Sequence, residues 1–480
     1  MRVSRRTVGL ALGALTFVLV VGVAAAALDD WGLDQQTQLQ NKSHPLFGVG
    51  QPLTQTSTVD FNKAQALADP AGLITVAKGL KVSVVAAGPA NGAGGDIDQM
   101  VLWPQANPTH IIACNEQGVS DPALQKISLA TGNATTIATG IASCDPTRVT
   151  PWGTVLFGEE AGSTGGMYEI VDPLNVVGVT IDRNTGVPTG GTNPNNIGRV
   201  NAFGFLSFEG LALLPNGVTY YGDELSASNG APGGAYYKFV PSTPWAGGAP
   251  IKSLSQSPFK SGTNTAAGTV YGLRVGQGSN YGQGFAYGNG TWQTLTSTPS
   301  QQLRPLATTA KLTGYYRPED LELDTTALAG GKVRMCGNNT GRDAARYFGE
   351  TICITDGTVA QATALTSVPE VKLLVQGSAE LNMPDNIAYQ ASRGHWIIEE
   401  DGGTAAFGNT DIWDCLDDGG DVDTLSDGCI RIASLNDLDA ESTGGFFDST
   451  GKHYYVSIQH NSSGWGTILD ITGWGSQGQG

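Results

Sequence analysis

At 480 residues the chain can bury a large core, and all-β propellers and barrels of this length often fold as one unit, so length does not impose two domains. It carries 43 Asp and Glu against 26 Lys and Arg, a formal net charge of −17. That surplus argues against nucleic-acid or anionic-membrane partners, which need a basic face; it suits hard cations such as calcium, or serves only solubility.

Residues 1–27 read as an export signal. Arg2, Arg5 and Arg6 precede an apolar run from Val8 to Val23, and Ala24 to Ala27 offer a small-residue cleavage site. The arginine pair hints at the twin-arginine route, but Thr7-Val8-Gly9 lacks the usual aromatic and leucine, so the route stays open, as does an uncleaved anchor. A periplasmic or extracellular monomer is expected. Nothing after residue 30 is apolar enough to span a bilayer. Residues 28–90 read as an N-terminal extension, with a short helix within Ala64 to Leu80, and residues 91–475 as the main domain.

The 67 glycines follow no collagen-like period and suit tight turns between short strands. Pro215-Asn216-Gly217 precedes the β-rich Val218 to Tyr221, and Gly233-Gly234 precedes Tyr236 to Val240. Trp396 to Ile398 and Tyr454 to Val456 are further strands. A degenerate repeat organises them: a polar or acidic motif, an apolar strand, a turn, and a second strand ending in polar residues. Successive units run from Asp96 and Asp98 to Asn115-Glu116, from Pro151-Trp152-Gly153 to Glu159-Glu160, and from Phe208-Glu209-Gly210 to Asp223-Glu224. Three more run from Arg317-Pro318-Glu319-Asp320 to Asn338-Asn339, from Pro384-Asp385-Asn386 to Glu399-Glu400-Asp401, and from Glu441 to Gln459-His460. This predicts an all-β, six-bladed β-propeller with loop insertions. Inner strands of a propeller line one channel, so acids at matching strand ends gather around one mouth, where clustered carboxylates require cations. The alternative is that each acid caps a turn in its own blade.

Six cysteines in an exported chain imply disulfides. Cys336 with Cys353 and Cys415 with Cys429 each close a short loop, leaving Cys114 and Cys144. The loop between Cys415 and Cys429 holds Asp417, Asp418, Asp421 and Asp423; it fails the EF-hand spacing and reads as a stapled surface loop, with a structural calcium site as the alternative. The five histidines (His44, His110, His395, His453 and His460) show no zinc-ligand spacing, and no Gly-x-Ser-x-Gly nucleophile motif is present.

Thr150-Pro151-Trp152-Gly153-Thr154 followed by Glu159-Glu160 is similar to a signature of PhoX-type secreted alkaline phosphatases. Phe208-Glu209-Gly210, Tyr221-Gly222-Asp223-Glu224, Gly234 to Pro241, Tyr316-Arg317-Pro318-Glu319-Asp320, Pro384-Asp385-Asn386 and Ser457-Ile458-Gln459-His460 resemble later parts of that family, in order from about residue 95 to 473. The resemblance implies a six-bladed propeller hydrolysing phosphate monoesters, small phosphoester substrates, at calcium and iron ions at one end of the channel. It implies Glu160, Glu209, Glu224, Glu319, Glu400 and Glu441 as metal ligands, with Asp223, Asp385 and Asp401 as further candidates. Arg317 would hold phosphoryl oxygens, with Glu319 beside it in catalysis, and Asn386 and His460 would line the substrate site. A structural ion pair with Glu319 or Asp320 is the alternative for Arg317. The resemblance also implies a cysteine thiolate on iron. Cys144 matches approximately, although Asp145 to Val149 is a residue longer than the pattern, and Cys114 offers it a disulfide partner on the neighbouring blade. Another metal-dependent hydrolase, such as a lactonase or phosphotriesterase, and a non-catalytic calcium-binding propeller remain alternatives.

Overall fold

The computed structural model describes residues 33–227, 233–276, 286–342, 346–402, 408–419 and 423–475. The expected export signal and Asp421 lie outside them.

The structure is a six-bladed β-propeller. Blade inner strands are Ile97–Trp103, Cys144–Val149, Phe208–Leu213, Pro318–Leu323, Pro384–Gln390 and Glu441–Phe447, and each contacts the next around a closed ring. Antiparallel strands run outward from each. Blades 3 and 4 are joined at their outer edges by a short pairing of Gly288–Leu295 with Glu370–Gln376. Blade 1 gains two outer strands, Val179–Asp182 and Val187–Thr189, from the insertion in blade 2.

Blade strands are buried on both faces, so many read as continuous apolar runs. Ile111 faces the cluster shared with blade 6 while its neighbour Ile112 faces blade 2. Tyr220 and Tyr221 split between blades 4 and 2 in the same way, as do Ile398 and Ile397 between blades 4 and 6. Opposite projection of successive residues thus fills two cores from one strand. Fully burying one such side chain stabilises by roughly 1.5–3 kcal/mol, so these interblade seams hold the ring together.

Residues before 91 take part in the propeller. Asn62 caps the helix Lys63–Ala68 in a capping box with Gln65. The helix stops short of Pro70, and Asp69 caps a tight turn over Pro70–Leu73. Ile74–Val76 then pairs with the outer edge of blade 5 and Lys81–Ala87 with the outer edge of blade 6. The part read from sequence as an extension therefore completes two blades.

All six cysteines are paired. Cys336–Cys353 and Cys415–Cys429 join directly opposed residues within blades 4 and 5. Cys114–Cys144 joins blade 1 to the inner strand of blade 2. Among the described residues, no helix is long and apolar enough to cross a membrane.

Candidate functional site

Two recurring strand features build one mouth of the channel. The first is a bulge near the start of the inner strand. Pairing with the second strand shifts register between Ile97 and Met100, Cys144 and Thr147, Phe208 and Leu211, Pro318 and Leu321, and Pro384 and Ile387. Just inside each shift stands an acid: Asp98, Asp145, Glu209, Glu319 and Asp385. A bulge re-aims the side chains it carries, here placing one carboxylate per blade at the same height. Blade 6 differs, because its shift falls later, between Thr443 and Phe446, and Glu441 comes from the strand's first residue.

The second feature is the residue just after the second strand. In blades 1 to 5 its backbone N–H donates to the carbonyl just before the inner strand: Glu116 to Asp96 (2.7 Å), Glu160 to Ser143 (2.8 Å), Glu224 to Ser207 (3.1 Å), Thr340 to Arg317 (3.0 Å) and Asp401 to Met383 (2.8 Å). These positions are equivalent, and their side chains face the channel mouth. The preceding residue points the other way, into its own blade. Glu159 accepts from the backbone of Ala142 and Gly166 and from Arg183. Asp223 is gripped by Arg304 at 2.8–3.1 Å. Glu400 accepts from the backbone of Asn382 and Asp411 and from the Trp413 indole, at 2.9–3.0 Å.

Glu400 and Asp223, expected among the ligands, therefore face away from the mouth, and Asp401 takes the position expected of Glu400. Glu160, Glu209, Glu224, Glu319, Asp385 and Glu441 do come together. Asp98, Glu116 and Asp145 join them without having been expected as ligands; their positions in the blade repeat are the signal that finds them. Asn386 is buried, and its side-chain oxygen accepts from the Gly444 backbone, tying blade 5 to blade 6. Half-exposed His460 stands on the rim, 3.5 Å from Glu441 and 3.7 Å from Asp96. Cys144 is not a thiolate: it is bonded to Cys114, which removes the expected iron ligand. The Pro-Trp-Gly motif is structural. The Trp152 indole and Thr154 hydroxyl each donate to the buried Glu169 carboxylate at 2.6 Å, joined by Ser257 and Ser261.

One guanidinium stands among the acids. Arg317 donates from Nε to Glu224 (2.7 Å) and from Nη1 to Asp401 (2.8 Å), and its Nη2 lies 3.1 Å from Glu319. Burial works against its charge, but Glu319, Asp401 and Glu224 outweigh that and hold its proton more firmly than usual. Its backbone is left-handed (φ 57°), as at Ser143 and Met383, the equivalent entries to blades 2 and 5.

The remaining acids are not bonded to any guanidinium or ammonium group among the described residues, and only the half-exposed His460 stands beside Glu441. Carboxyl–carboxyl hydrogen bonds join Glu116 to Glu160, Asp145 to Glu209 and Asp385 to Glu441. Ionised carboxylates only accept, so each such bond requires a proton on one partner. Burial first, then neighbouring charge, raises these groups: Asp145 to about 7 and Glu160 to about 11, with Asp98, Glu209, Asp385 and Glu441 also well above the usual range. Asp98 Oδ1 and Asp145 Oδ1 are buried without a hydrogen-bond partner.

Among the described residues, no three acids, imidazoles or thiols already stand at the spacing of a preformed ion site. The donor set nevertheless fits a hard cation. It is oxygen-only, two buried oxygens are unpartnered, and the protons between carboxyls occupy places that a cation can take. It does not fit iron held by a thiolate.

Below the acids, Arg148 and Asp320 meet across the channel, with Gln99 bonded to both. Beyond them the channel opens into a cavity of about 870 Å³ lined by Leu102, Leu213, Glu322, Leu323 and Phe446.

No family profile matches the chain, and no curated protein is similar to it. Among solved structures it is similar to Pseudomonas fluorescens PhoX in complex with vanadate, described as a transition-state analogue, with TM-score 0.60 and 15% identity over 89% of this chain and 99% of that one. Alignments with a gluconolactonase from Xanthomonas campestris (TM-score 0.40, 9% identity, 88% of this chain and 99% of that one) and the PQQ-bound aldose sugar dehydrogenase from Streptomyces coelicolor (0.42, 12%, 83% and 99%) are looser. At these identities the first likeness establishes the propeller fold and nothing finer.

Proposed function

We propose that this protein is an exported, metal-dependent hydrolase of phosphate monoesters, using calcium held by the carboxylates at the channel mouth. The observation that carries this reading is the ring of buried, proton-sharing carboxyls around Arg317. Such a ring is costly without cations and is chemically suited to them. Asp98, Glu116, Asp145, Glu160, Glu209, Glu224, Asp385, Asp401 and Glu441 would hold the ions. Bound calcium would supply charge neutralisation and Lewis-acid polarisation of the phosphoryl group. With the carboxylates engaged by cations, the Arg317 fork is released to bind two phosphoryl oxygens. Glu319, 3.1 Å away, keeps that fork oriented. In the net reaction, water oxygen bonds to phosphorus, the ester P–O bond breaks, and the departing alkoxide takes up the proton that water gives up, a transfer that the rim residue His460 would relay. Asn386, committed to Gly444, serves as scaffold. Iron has no part in this reading, because Cys144 is oxidised. Three disulfides agree with an oxidising compartment.

Protein stripped with chelator should not hydrolyse p-nitrophenyl phosphate, and calcium alone should restore turnover. Absence of turnover with calcium, iron or both would defeat the phosphatase reading. A second reading, a calcium-binding propeller without catalysis, is favoured by the engagement of Arg317 with three carboxylates. Its signature would be a calcium-dependent rise in melting temperature with no hydrolysis of any ester.

A further inference from the structure

Few large aromatic rings of the described residues are left open to solvent. Among the exposed large apolar side chains of the described residues, the aromatic ones are Tyr287 (41% exposed) and Tyr347 (37%), and both lie at one place. The Tyr287 and Tyr347 hydroxyls donate to the same buried carboxylate, Glu350, which also accepts from Asn339 at 3.0 Å. With the hydroxyls turned inward, what faces outward is ring. Tyr316 extends the surface, its ring centroid 5.7 Å from that of Tyr347.

This aromatic surface is tied to the acid ring through two short links. Tyr316 immediately precedes Arg317, and their carbonyls accept from Gly341 (3.1 Å) and Thr340 (3.0 Å). Thr340, next to Asn339, donates its hydroxyl to Glu319 at 2.8 Å. The strand end that anchors Glu350 therefore also positions Glu319. Because Tyr316 directly precedes Arg317, the aromatic surface begins one residue from the guanidinium proposed to bind the phosphoryl group.

We propose that Tyr316, Tyr347 and Tyr287 form a stacking shelf that selects phosphate monoesters with a planar aromatic substituent, such as a nucleoside or aryl group, over those with a flexible polyol. This rests on the phosphatase reading for catalysis, but the shelf itself can be tested without turnover. Rigid aromatic side chains lose little conformational freedom on binding, and a planar π-system stacks on them whatever its substituents.

The test uses the calcium-loaded full chain and the variants Tyr347→Ala, Tyr287→Ala and Tyr347→Phe, each shown to melt cooperatively. The readout is the ratio of kcat/KM for adenosine monophosphate to that for glycerol phosphate, so changes common to both substrates cancel. Each alanine variant should lower this ratio about tenfold, chiefly through KM, and Tyr347→Phe should keep most of it. Ratios unchanged in both alanine variants, or a parallel fall for the two esters, would overturn the shelf. Independently, ligand-detected NMR should show adenosine, without phosphate, binding the wild type and losing that binding in Tyr347→Ala. No adenosine binding to the wild type would also overturn it. Failure of all phosphate esters to react, with adenosine still bound, would defeat the phosphatase reading and leave the shelf standing.

Discussion

The guanidinium of Arg148 and the carboxylate of Asp320 meet at 2.8 Å across the channel, joining the inner strands of blades 2 and 4 just beneath the acid ring. Asp320 also accepts from Gln99 in blade 1 and from the backbone of Ile387 in blade 5. Removing the cation alone leaves a buried carboxylate with no counter-charge. Arg148→Met should therefore cost about 3–5 kcal/mol in urea unfolding, and adding Asp320→Leu should recover much of it. Equal losses for the single and double variants would show that the pair is not the cause.

Asp401 and Glu400 are adjacent but should behave oppositely. Asp401 faces Arg317 at 2.8 Å, whereas Glu400 is bonded inside blade 5. Asp401→Asn should weaken calcium binding in calorimetry while leaving the metal-free melting temperature near its starting value. Glu400→Gln should lower that temperature by an amount equivalent to about 1–3 kcal/mol, with calcium affinity largely kept. The reverse pattern would mean that the second strand of blade 5 faces the other way.

The acid ring also sets a pH dependence. Burial pushes the Asp145 carboxyl from its ordinary 3.8 up to about 7, with Glu116, Asp320 and Glu224 adding to the rise and the Glu209 hydrogen bond opposing it. Across that window the folded state holds a proton that the unfolded chain releases, so stability in chelator should fall as pH rises. Saturating calcium should displace the proton and flatten the trend; at a hundredfold excess over Kd, calcium adds about 2.7 kcal/mol. Melting curves in chelator and in calcium, measured across the same window, check both statements. A rise in chelator would contradict the first.

The Cys114–Cys144 bridge ties blade 1 to the inner strand of blade 2. The double variant Cys114→Ala, Cys144→Ala should lose roughly 2–4 kcal/mol of stability but keep its calcium stoichiometry, measured by elemental analysis. Loss of bound metal in parallel with the cysteines would restore Cys144 as a ligand.

The sequence announces the blades plainly, because turn glycines and two-faced apolar strands such as Ile111-Ile112 and Trp396-Ile397-Ile398 are local signals. The end of each second strand is legible only in part. Glu159-Glu160, Asp223-Glu224 and Glu400-Asp401 each offer two acids in succession, and strand geometry sends them to opposite sides. Only pairing register decides between them, and it puts Glu160, Glu224 and Asp401 at the mouth. Asp98 and Asp145 were harder to find, since a bulge has no strong composition of its own and re-aims residues that simple alternation assigns elsewhere. The sequence offers the Cys114–Cys144 disulfide beside a thiolate ligand and leaves the choice open, because the pairing depends on two blades packing side by side. The outer strands supplied by Ile74–Val76 and Lys81–Ala87 are invisible to any local pattern, since their partners lie near the other end of the chain.

That last arrangement bears on how the molecule is assembled. Ser83 and Asp470, hydrogen-bonded in the outer sheet of blade 6, are 387 positions apart. Closing so long a loop is entropically unfavourable until most other contacts exist, so sealing the ring should be among the last folding events. Until Thr467–Thr472 arrives, Lys81–Ala87 has no partner along that edge, and an unpaired strand is a template for neighbouring molecules. A chain truncated before Thr467 should therefore tend to aggregate, even though it would carry the sequence of five intact blades.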